Sequence, residues 1–160
     1  MNFQYQQGER VDGHLAYVEQ DRAVDFDPDD KSYAPSSHVP TAALVVGKTL
    51  QIEFRVDDGR LLYAWGYLPK ESWQRASAPT HLGTVTRGRV FVRQLDNAIT
   101  PGAGYPTDLQ DVPVLYHEAT SLLTFGNLQE ADKLVEIATG TVIGLKGNQL
   151  CCVVLKPVMR

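Results

Sequence analysis

Leu50 to Tyr67 constrains the fold more than any other stretch, because its alternation and its turn residues point the same way. Leu50, Ile52, Phe54 and Val56 alternate with Gln51, Glu53, Arg55 and Asp57, the period of a strand with one dry face and one wet face. Asp58-Gly59 then supplies residues suited to a tight turn at positive φ. A two-residue turn there predicts an antiparallel hairpin with Phe54 opposite Tyr63, Ile52 opposite Trp65 and Leu50 opposite Tyr67. Tyr63, Trp65 and Tyr67 then form a core row. The alternative is a longer turn, Asp57-Asp58-Gly59, with Gly59 in a bulge. That shifts the register by one, and the aromatic row joins Gln51, Glu53 and Arg55 as a polar-lined platform.

Two further hairpins are expected. One spans Leu82 to Leu95 around Arg87-Gly88. The other turns at Gly147-Asn148 and pairs Leu145 with Leu150, Ile143 with Cys152 and Val142 with Val153. Both faces of that last pair are apolar, which places it centrally. Thr41 to Val46, Val114 to Tyr116 and Leu122 to Phe125 also read as strands. One helix is expected over residues 128-136, with Asn127 as cap, Glu130 reaching back, and a stripe of Leu128, Ala131, Leu134 and Val135. Val135, Ile137, Thr139 and Thr141 also alternate as a strand would, so the helix end is open. The fold class is therefore all-β and mainly antiparallel, a small barrel or sandwich built from hairpins, with closure into a barrel preferred.

The chain of 160 residues reads as one domain, 1-160, with a polar N-terminal arm and an acidic loop covering about 1-40. Residues 21–40 hold five Asp, three Pro and three Ser, a loop composition. Residues 96–113 form a second long loop, broken by Pro101, Gly102, Gly104, Pro106 and Pro113 and expected to border a site. The formal charge is -4 and the basic residues are dispersed, so no counterion-releasing stripe for nucleic acid is present. No apolar run approaches a membrane span. No secretory signal is visible, and Cys151 and Cys152 are adjacent, so a reducing, cytoplasmic location is expected with both thiols free.

No motif is specific enough to name a family or a cofactor. The Asp25, Asp27, Asp29, Asp30 cluster fails the calcium-loop pattern, with Asp30 where Gly is needed and Ser36 where Glu is needed. The four histidines, His14, His38, His81 and His117, lack metal spacing, and no metal is expected. Three readings remain. The preferred one is a binding or interaction protein for a small molecule or a protein partner, with Tyr63, Trp65, Tyr67, Tyr105 and Tyr116 as binding candidates. The second is a small enzyme with a dispersed acid–base site, whose catalytic candidates are His117 and His81 with Asp108 or Asp111. The third is the structural subunit of a homo-oligomer.

Overall fold

A computed structural model describes residues 1–76, 82–95 and 98–160. In chain order the strands begin with β1 (Asn2–Gln7), β2 (Gly13–Val18), β3 (Ala23–Pro28), β4 (Thr41–Val46) and β5 (Leu50–Arg55). Then come β6 (Leu61–Tyr67), β7 (Trp73–Arg75), β8 (Val85–Arg93), β9 (Gly104–Pro106) and β10 (Val114–His117). The last are β11 (Leu122–Gly126), β12 (Lys133–Ala138), β13 (Thr141–Lys146), β14 (Gln149–Leu155) and β15 (Val158–Met159).

These strands make two sheets. Sheet I has the order β1-β8-β12-β13-β14-β11-β10-β7, and sheet II the order β15-β2-β3-β6-β5-β4-β9. Neither sheet closes on itself, so the arrangement is sandwich-like and the expected barrel closure is corrected. Pairing is mostly antiparallel, with parallel exceptions at β7–β10, β8–β12, β2–β15 and β4–β9. The main core joins both sheets: Tyr17, Leu44, Ile52 and Phe54 from sheet II meet Val90, Phe125, Ile143 and Val153 from sheet I. Leu122, Leu134, Val142, Cys152 and Val154 form a second, smaller cluster, covered by Leu82, Val85, Leu128 and Ala131. β13 and β14 are thus apolar on both faces and central in their sheet, as their sequence requires.

Several local expectations are corrected by pairing between segments far apart in the chain. The acidic stretch is strand as far as Pro28, because Val24, Phe26 and Pro28 turn inward while Asp25 and Asp27 face out. The polar arm likewise supplies β1 and β2. The hairpin expected at Arg87-Gly88 is one continuous strand, β8, held between β1 and β12. Gly88 is needed for space instead: a Cβ there would lie 2.8 Å from Tyr5 Cε2. The helix expected over 128-136 is a single 3-10 turn, Leu128–Glu130, and Lys133 onward is β12. Asn127 does cap, accepting from the Gln129 N–H at 3.1 Å. The chain then follows its β-branched alternation because β8 and β13 flank it on both sides.

At Gly147 (φ +60) the last hairpin turns where expected, with Leu145 opposite Leu150. A bulge follows, so Ile143 faces Val153 and Val142 faces Val154, not Cys152 and Val153. The long loop before Pro113 is irregular on both sides of β9, a three-residue edge strand. No helix among the described residues is long and apolar enough to cross a membrane.

Candidate functional site

The first hairpin closes through a four-residue turn, Val56 to Gly59, so neither the two-residue turn nor the three-residue Asp57-Asp58-Gly59 turn forms, and a bulge in β6 decides where the aromatic row points. Arg55 N–H donates to the Arg60 carbonyl at 3.0 Å, and Gly59 N–H donates to the Arg55 carbonyl at 2.8 Å. Val56 to Gly59 are thereby enclosed, with Gly59 at φ +78. Asp58 secures the turn by accepting from the Arg60 N–H at 3.0 Å and from the Arg55 guanidinium at 2.5 Å. Between Phe54↔Leu61 and Glu53↔Tyr63 the register shifts by one residue of β6. Ile52 then faces Ala64 and Gln51 faces Trp65. The pairings expected from a two-residue turn, Ile52 with Trp65 and Phe54 with Tyr63, are therefore corrected. A one-residue slip moves a whole side-chain row to the other face.

Trp65 and Tyr67 consequently stand on the outward face of sheet II, 37% and 47% exposed. The indole N–H of Trp65 donates to Glu53 Oε2 at 3.1 Å. Burial pushes the Glu53 carboxyl above the usual carboxylate range, and the indole hydrogen bond partly opposes that rise. The Arg22 guanidinium lies 5.8 Å from the centre of the Tyr67 ring and pairs with Glu71 at 2.6 Å.

Tyr63 follows the same row but is buried. Its ring stacks on Phe26 with centroids 5.0 Å apart, and its hydroxyl donates to the Tyr33 carbonyl at 3.1 Å. Burial, then the charges of Glu53 and Asp25, push that hydroxyl up to about 12. Tyr105 sits on β9, tilted against Phe54, and its hydroxyl accepts from the Thr100 N–H at 2.7 Å. Tyr116 belongs to sheet I and packs on Trp73. Of the five aromatic candidates, only Trp65 and Tyr67 are brought together as an open surface.

His117 lies at the end of β10 and is 7% exposed. Its Nε2 is 3.0 Å from Thr124 Oγ1 on the neighbouring strand β11. It lines an open groove of about 550 Å³ with Leu115, Thr124, Asn127, Gln129, Asp132 and Lys133 among the other walls. Asp108 lines a separate small cavity of about 90 Å³ with Met1 and Phe3. Neither Asp108 nor Asp111 is in the His117 groove. Glu118 turns away to Arg75, 3.6 Å distant. His81 falls outside the described residues. Asp132 accepts from the Gly147 N–H at 2.9 Å, and Lys133 Nζ lies 3.9 Å over the Tyr5 ring. Thr124 was not legible as a partner of His117, since only the β10–β11 register makes them neighbours.

No protein-family model matches the chain, and no curated protein matches its sequence. The residues must speak for themselves. Of the acidic group, Asp27 pairs with Lys31 at 2.7 Å and Asp30 accepts from the Ser32 N–H at 3.0 Å. Among the described residues, no three His, Cys, Asp or Glu side chains meet as a metal site would need.

Proposed function

We propose that the protein is a recognition protein whose working face is the outward surface of sheet II around Gln51, Glu53, Trp65 and Tyr67. The observation that carries this reading is the hairpin register, which leaves a tryptophan and a tyrosine exposed side by side on a strand. Large amphipathic rings supply much contact area at low entropic cost, and Trp and Tyr are over-represented where binding energy concentrates. A rigid strand holds them in place.

A second reading, an acid–base site at His117, has one observation in its favour, the groove of about 550 Å³ beside the imidazole. It lacks the aspartates it was expected to recruit. The two are separated by protein-observed ¹⁵N NMR during a screen of small polar aromatics, sugars, nucleosides and blocked dipeptides. Recognition at sheet II predicts shifts clustered on Gln51, Glu53, Trp65 and Tyr67. Shifts clustered on His117, Thr124 and Asn127 would overturn it in favour of the groove.

A further inference from the structure

Glu53 differs from the carboxylates around it in what it lacks. Glu71 is paired with Arg22, Asp27 with Lys31 and Glu19 with Lys70. Glu53 has no basic partner among the described residues, and only its Oε2 is engaged, by the Trp65 N–H. Asp25, which also forms no ion pair among the described residues, stands near enough for its charge to act with that of Glu53 on the Tyr63 hydroxyl. Uncompensated negative charge thus lies beside an exposed indole.

The π-face of an aromatic ring attracts cations, and the fold already uses that attraction where Arg22 approaches Tyr67. Trp65 has no such cation among the described residues. Neither Trp65 nor Tyr67 lines the grooves described above, so the surface is open and suits a macromolecule more than an enclosed small ligand.

We propose that this face docks a basic segment of a partner protein, with a lysine or arginine side chain seated against the Trp65 ring and the free Glu53 oxygen. The inference rests on the recognition reading above and adds the sign and chemistry of the partner. Half-burial already disfavours the ionised Glu53, and an arriving cation offsets that cost by restoring its charge partner. The formal charge of -4 also favours encounter with a basic chain.

The test uses the full chain, ¹⁵N-labelled, and two synthetic peptides. One is acetyl-Gly-Lys-Gly-Lys-Gly-amide, and the other is the same peptide with both lysines Nε-acetylated. The lysine peptide is expected to move the Trp65 indole cross-peak, assigned with W65F, and the acetylated twin to leave it still. E53Q keeps an acceptor for the indole while removing the charge, and is expected to weaken binding by about threefold. Equal shifts from both peptides would overturn the basic-partner inference and leave the recognition reading standing. No shift at Trp65 or Tyr67 from either peptide would overturn the inference, whereas the recognition reading itself falls only if fragment shifts cluster on His117, Thr124 and Asn127. Shifts on this face that grow with protein concentration alone would mean that a second copy of the chain covers it, which also overturns the proposal.

Discussion

The indole N–H of Trp65 donates to the Glu53 carboxylate at 3.1 Å, a diagonal contact between β6 and β5 on the outward face of sheet II. Glu53 faces Tyr63 and Gln51 faces Trp65, so the bond joins residues one pair apart, within reach for long side chains. It ties the orientation of the ring to the carboxylate.

That carboxylate makes stability depend on pH. Its folded pKa is raised, chiefly by burial, so the folded state holds the proton more tightly than the unfolded chain does. The resulting stabilisation is full below the unfolded carboxylate pKa and is lost as pH rises through the folded value. E53Q is neutral throughout. Its Tm is expected to exceed that of the parent at pH 7, with the gap closing as pH falls to about 4. Parallel Tm–pH curves for the two proteins would contradict this.

The four-residue turn that closes this hairpin depends on Gly59. It sits at φ +78, and a Cβ there would collide with the Val92 carbonyl oxygen. G59A is expected to lower the unfolding free energy by about 2–3 kcal/mol, combining backbone strain with the clash. G102A is the control, since Gly102 has φ +81 but open space at its Cβ, and about 1 kcal/mol is expected there. Urea titration measures both, and equal losses would show that the contact with Val92 is immaterial.

Arg60 is 3% exposed and has no carboxylate partner among the described residues. Its guanidinium donates to the Tyr33 hydroxyl and to the Glu9 carbonyl, each at 3.0 Å, while its Nε has no hydrogen-bond partner among the described residues. Burial lowers its pKa from the ordinary value. Y33F removes one of two acceptors from a buried cation and is expected to cost about 1–3 kcal/mol. In an R60M background the same change should cost much less, because no charge is left stranded. Additive losses in the double-mutant cycle would refute the link.

Gly144 leaves room for the Cys152 sulfur, with which an added Cβ would collide. G144A is therefore expected to destabilise by about 1–3 kcal/mol through overpacking, and C152A to recover most of that loss. Burial also pushes the Cys152 thiol up to about 12, whereas Cys151 is only half-buried. A thiol reagent at pH 8 should label at most one cysteine per folded chain, and slowly. Rapid labelling of both would contradict the packing around β14.

What local chemistry dictates was legible. Asn127 caps a turn because its own side chain reaches the Gln129 N–H. Gly147 closes a hairpin because it can take φ +60. The alternation of β5 buries Leu50, Ile52 and Phe54 because a strand has no other way to present them. None of these needs knowledge of a distant segment. Where the expectation failed, a distant segment was the cause. Gly88 reads as a turn until Tyr5 is packed against it, and β12 reads as a helix until β8 and β13 flank it.

The candidate sites divide the same way. The sequence alone determined that Tyr63, Trp65 and Tyr67 share a row and that His117 ends a strand. Long-range packing set which way the row faces, buried Tyr63 against Phe26 and the Tyr33 carbonyl, and placed His117 beside Thr124 and apart from Asp108. The reason is physical. Alternation along a strand specifies two faces but not which of them is inside, and a register change of one residue exchanges them with little change in local geometry. That choice belongs to the bulge between Leu61 and Tyr63 in β6 and the strands packed around it.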